Sequence, residues 1–135
     1  MNLLLAGRTQ LFNQDEWFDR LGVPFRDTGN AMVGADVIFL SQKIDIDALR
    51  SYRIAIGRRT RENVMQLPAS KIKLKVDPAR LERVMAEGAL VEEARGVLDY
   101  WGGLTNSELL LMPPTRHNFI HLNEALRIKQ KVADR

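Results

Sequence analysis

Apolar positions along this chain recur mostly at helical spacing. Over residues 45–67, Leu49, Arg53, Ile56, Thr60, Asn63 and Leu67 trace one stripe, which Tyr52, Ile56 and Val64 broaden. Asp45 or Asp47 can cap this helix and Pro68 ends it. Gly57 weakens it by roughly 1 kcal/mol relative to Ala. Upstream, Leu4, Leu11, Phe18 and Leu21 fall near one face of a periodic run over residues 1–22, with Gly22 as its stop. That run opens without a cap, which predicts a first element lying against something, such as a partner chain. Pro24 and the RDTGN run predict a loop over residues 23–30. The ADVIFLS core of residues 34–42 has strand-like composition but the length of a buried helical turn or two, and we read it as helix.

Residues 71–77, KIKLKVD, alternate like a short strand or extended connector. Asp77-Pro78 pairs a cap with proline at the first helical position, and the helix it opens runs to Glu87 before Gly88. Another helix begins near Ala89, carries Val91, Ala94, Val97, Leu98 and Trp101, and stops at Gly102-Gly103. Thr105 and Glu108 have the spacing of a capping box for a short turn ending at Leu111. Pro113-Pro114 then breaks the chain, and a last helix runs from Thr115 to Val132. Arg127, Lys129 and Lys131 complement the dipole at its end. The sum predicts an all-α domain over residues 1–135, arranged as an up-and-down four-helix-bundle-like fold. The alternative is a small α/β fold with strands at residues 2–6, 36–40, 53–56 and 71–76.

Composition narrows the classes. A chain of 135 residues, 45% hydrophobic and 27% charged, has the material for one ordinary core. No apolar stretch approaches the ~20 residues that span a bilayer, so no membrane partner is expected. The MNLLLAG start lacks a basic leader and meets Arg8 at once, unlike a secretory signal. There is no cysteine, which excludes disulfides, zinc-thiolate sites and a thiol nucleophile on the protein, and fits a cytoplasmic location. A net charge of +3 does not demand an anionic partner. Arg50, Arg53, Arg58, Arg59 and Arg61 form a basic stretch, but Glu62 interrupts it and no aromatic residues interleave. A solvated face with local ion pairs is its ordinary reading, and nucleic acid is not an expected partner. The α/β alternative would instead make the chain a nucleotide- or nucleic-acid-binding protein.

The candidate chemistry lies in PPTRHNFIHLNEALRIKQ, residues 113–130, which holds both histidines of the chain. His117 and His121 are four residues apart, on one helical face and about one turn from each other. That spacing lets two imidazoles reach one metal ion or one substrate. Glu124 shares the face, so His117, His121 and Glu124 make a candidate ligand set for a divalent metal of zinc or nickel type. Glu124 can equally orient an imidazole as an outer acceptor. The structural alternative packs both histidines partly buried, hydrogen-bonded to Glu124, Asn123 or backbone. Candidate remote ligands are Gln10, Asn13, Asp15 and Glu16. Trp17 with Phe18, and Tyr100 with Trp101, line a pocket or serve as core and interface anchors. Arg26 in the RDTGN run is an anion contact or ordinary turn chemistry.

The stretch LDYWGGLTNSELLLMPPTRHNFIHLNEALRIK, residues 98–129, resembles the C-terminal part of DinB-like proteins. IDALRSYRIAIGRRTRENV, residues 46–64, does so more loosely, and EWFDRLGVPFRDTGNAM, residues 16–32, is similar to the end of that family's second helix and the loop after it. The resemblance implies a four-helix bundle, often a homodimer, with a divalent metal on three histidines, two of them as H-x-x-x-H on a later helix. It also implies metal-dependent transferase or isomerase chemistry with a small-molecule thiol cosubstrate such as mycothiol, bacillithiol or glutathione. The chain departs from the pattern twice. With only two histidines, its third ligand cannot be histidine, and it is short where the family has a full first helix. Either another group completes the site, or the site is vestigial and the bundle is a non-catalytic interaction module.

Overall fold

The computed structural model describes residues 2–134. It is all-α. The first helix, α1 (Asn2–Ala6), buries three consecutive leucines, Leu3, Leu4 and Leu5. It stops at Gly7, whose φ of 65° is a left-handed conformation that suits glycine. A Cβ there would also lie 3.2 Å from Arg80 Nε. A 3-10 turn at Leu11–Asn13 follows, then left-handed Asp15 and Glu16, then α2 (Trp17–Leu21). The single run expected over residues 1–22 is therefore three short pieces, and its first residue lies outside the described ones. Of the expected face, Leu4, Leu11 and Leu21 are buried, but Phe18 is only half-buried and its neighbour Trp17 is buried in its place.

The strand-like ADVIFLS run is helical, as α3 (Gly34–Lys43). In α4 (Ile46–Met65), Asp45 Oδ1 accepts from the Ala48 amide at 2.8 Å. Asn63, buried near its end, donates to Asn2 Oδ1 at 2.6 Å and so joins α4 to α1. In α5 (Pro78–Ala86), Asp77 Oδ1 accepts from the Ala79 amide at 2.9 Å. Next come α6 (Gly96–Gly103), preceded by a 3-10 turn at Glu92–Ala94, and α7 (Asn106–Leu111). The Thr105 capping box is formed: the Thr105 amide donates to Glu108 Oε2 at 2.8 Å. That amide and the Thr105 hydroxyl hold the Glu108 carboxyl below its usual range.

Three of the four strands of the α/β alternative lie within α1, α3 and α4. The fourth, residues 71–76, makes one isolated bridge, Lys75 to Thr105, and the described residues contain no strand. Its carbonyls are satisfied from the start of α7 instead. The Asn106 amide donates to Leu74 O at 2.8 Å and the Ser107 amide to Ile72 O at 2.9 Å.

The core joins α1 to α5, α6 and α7 through Leu3, Leu4, Leu5, Val76, Val84, Leu90, Leu98 and Leu109. Helix α4 packs against α1 and α2. The chain does not break at Pro113-Pro114. A π-helical segment, Met112–His117, carries α7 into α8 (Asn118–Ala133). Beyond Asn118, every described residue of α8 is exposed, and its extensive packing among the described residues is with that π segment.

Candidate metal centre

The structure brings His117, His121 and Glu124 together in a chain of contacts. The two imidazoles lie edge to face, ring centroids 4.4 Å apart and planes at 85°. Their Nε2 atoms face each other at 2.9 Å. On the far side of the His121 ring, Nδ1 is 2.8 Å from Glu124 Oε2. A carboxylate only accepts, so this contact places a proton on Nδ1 and, in the neutral ring, leaves Nε2 as a lone pair aimed at His117. His117 can answer with an Nε2 proton. Without that proton, two lone pairs face each other at hydrogen-bond distance, an arrangement that a cation between them relieves.

With zinc–nitrogen bonds of about 2.05 Å, a cation touching both atoms at this separation subtends about 90°. That is the angle of neighbouring octahedral ligands. A tetrahedral ion needs the nitrogens about 3.3 Å apart, a change that small side-chain rotations supply. Both His121 and Glu124 are more than half exposed, so the remaining positions are open to water or to another chain.

The remote candidates are engaged or placed elsewhere. Gln10 Nε2 and Asn13 Nδ2 both donate to the carbonyl of Glu87 at the end of α5, at 3.3 and 3.0 Å. Asp15 and Glu16 form the exposed left-handed turn before α2. Among the described residues, no group of three or more His, Cys, Asp or Glu side chains is set to hold a metal ion.

The other sequence signals show ordinary structural chemistry. Arg59 Nε pairs with Glu62 at 3.2 Å, and Arg50 with Asp47 at 4.0 Å, as local ion pairs on α4. The Arg26 guanidinium stacks 3.8 Å over the Phe18 ring, and Asp27 Oδ1 accepts from the Gly29 amide at 2.7 Å. Trp17 packs on Tyr52 with centroids 5.2 Å apart, under the Arg20 guanidinium. Trp101 lines a cleft of about 310 Å³ whose floor includes Leu4 and Leu109 and whose side is α4, at Tyr52, Ile56 and Thr60. Periodicity alone did not reveal this cleft. Its signal was a stripe mixing aromatic, aliphatic and hydroxyl residues where a packed face would be aliphatic throughout.

Compared with known protein families, curated proteins and solved structures, the chain matches none.

Proposed function

We propose that this is a DinB-like helical protein in which the end of the π segment and the start of α8 carry a divalent-metal site on His117 and His121. The observation that supports it is the 2.9 Å convergence of the two Nε2 atoms, with Glu124 fixing the His121 ring from behind. On this reading Glu124 acts through His121 as an orienting acceptor. The donor set suits a first-row divalent ion of zinc or nickel type. When bound, the ion would supply Lewis-acid activation of a water or of a thiol, and the thiol must arrive as a cosubstrate because the chain has no cysteine. The reaction class is then a thiol-using transfer or isomerisation.

Titration of the purified protein with zinc and with nickel tests the site. His117→Ala and His121→Ala are each expected to weaken binding by at least about tenfold, and Glu124→Gln by about tenfold through loss of ring orientation. Metal uptake unchanged in both histidine variants would refute the proposal.

A second reading, an interaction module that forms homodimers, is favoured by a different observation. Phe119, Leu122, Leu126, Ile128 and Val132 of α8 are 58–69% exposed. At about 100° per residue they cover half the helix circumference, with His117 and His121 at one border. Together they present on the order of 500 Å² of apolar surface, as much as the largest patch of a typical monomer. A stable interface buries roughly 800 Å² per partner, so this face is a large share of one. Burying it against a second copy would also set that copy's groups beside the two histidines, where a third ligand is needed. The double variant Leu122→Ser with Leu126→Ser is expected to shift sedimentation from dimer to monomer. A wild-type chain that stays monomeric at high micromolar concentration would exclude the homodimer.

A further inference from the structure

The cleft beside α4 shares no residue with the histidine pair, and the geometry points to a second site there, for a small amphiphile ending in a carboxylate. At about 310 Å³ it far exceeds a packing void, which is rarely larger than a water. It falls at the lower end of small-molecule sites, roughly 300–1,000 Å³. Its apolar wall is drawn from distant parts of the chain, including Leu3 and Leu4 of α1, Ile56 of α4, Trp101 of α6 and Leu109 of α7. The same contacts that build the core therefore hold the cleft open.

Its polar lining comprises Tyr52, Arg59 and Thr60 of α4, with Asn2 of α1 and the loop residues Gln10 and Thr28. The hydroxyls of Tyr52 and Thr60 have no hydrogen-bond partner among the described residues. Burial pushes the Tyr52 hydroxyl up to about 12, so at neutral pH it is a proton donor. Arg59 is the one charged residue in the wall. Its Nε is held by Glu62, which is not part of the lining, and its two terminal nitrogens are left to donate. Seven residues separate Tyr52 from Arg59, about 10 Å along the helix axis. An aliphatic chain laid on Ile56, Leu4 and Leu109 would thus end at a guanidinium, whose fork matches a carboxylate. A cationic or uncharged headgroup would forfeit that contact.

Decanoate and decanol are suitable probes, followed by the two indole N–H signals in nitrogen-15 spectra of the full chain. Decanoate is expected to move the Trp101 signal saturably and to bind roughly tenfold more tightly than decanol, the difference being the charge-assisted contact. Arg59→Gln, a change at a part-exposed position, should reduce decanoate affinity to that of decanol and leave decanol unchanged. Ile56→Trp should fill the cleft and abolish both while the helical spectrum is kept. Leu122→Ser with Leu126→Ser on α8 should alter neither. An unchanged decanoate-to-decanol ratio in Arg59→Gln would overturn the proposal, as would decanoate shifts on α8 in place of Trp101 or no saturable shift at all. None of these outcomes touches the metal reading, which fails or stands on His117 and His121.

Discussion

Leu109→Ala is expected to destabilise the fold by about 3–4 kcal/mol, the largest effect of any single truncation here. Leu109 is 1% exposed, the most completely enclosed large side chain among the described residues. It sits where α7 meets the leucines of α1 and the cluster from α5 and α6. Deleting its branched end removes the transfer energy of three carbons, ~2 kcal/mol or more, and leaves a void that neighbours on four elements cannot close together. The floor of the α4 cleft opens at the same time. A urea midpoint lowered at unchanged slope would record the loss as one of native stability. A change under about 1 kcal/mol would mean that α7 is not anchored as described.

Arg80→Met should cost about 2 kcal/mol by a different route. Arg80 Nη1 donates to Leu4 O at 3.2 Å and Leu5 O at 2.6 Å. These carbonyls lie in the last turn of α1, where a five-residue helix has no following turn to satisfy them. Arg83 of the same helix α5 gives Gly7 O a further bond of 2.7 Å. Methionine keeps most of the apolar stem but removes the donors, so two half-buried carbonyls lose a charged partner, at ~1–3 kcal/mol. Hydrogen exchange at Gly7 and Arg8 should accelerate more than exchange in α6, because α1 loosens first. Lysine at position 80 should recover only part of the loss, since one ammonium cannot reproduce the fork geometry.

These two sites also explain what could be read from the chain and what could not. The caps at Asp45, Asp77 and Thr105 were legible because each is completed within three residues by a backbone amide. The break at Gly7 was not, because the guanidinium groups that compensate it come from more than seventy residues away. Nor was the passage through Pro113-Pro114, where a wider π turn continues the axis although two donors are missing. The α/β alternative arose from runs of strand-like composition such as the one in α3, which is helical although none of its residues is buried. At the candidate site, i,i+4 spacing foretold the His117–His121 encounter, and the i,i+3 step to Glu124 allowed two roles. The contact with Nδ1 of His121 favours the orienting one. A remote ligand has no local signature, and spacing offers no means to choose among Gln10, Asn13, Asp15 and Glu16.

The π segment has a mechanical consequence. Residues 112–117 lie between Leu109, locked in the core, and a helix whose described side chains beyond Asn118 all face outward. Each residue in a helix advances the azimuth by about 100°, and a π turn holds roughly one residue more than an α turn. Rewinding these same six residues as α-helix, at about 100° each instead of roughly 80°, would rotate α8 about its own axis by more than a quarter revolution, whereas deleting one residue along with the change would leave its bearing nearly unaltered. His121, Glu124 and the apolar arc of α8 would swing together to a new bearing, while His117, inside the rewound segment, would move relative to them. The direction in which α8 presents His121, and whether it meets His117, is thus set by how one turn of the chain is wound.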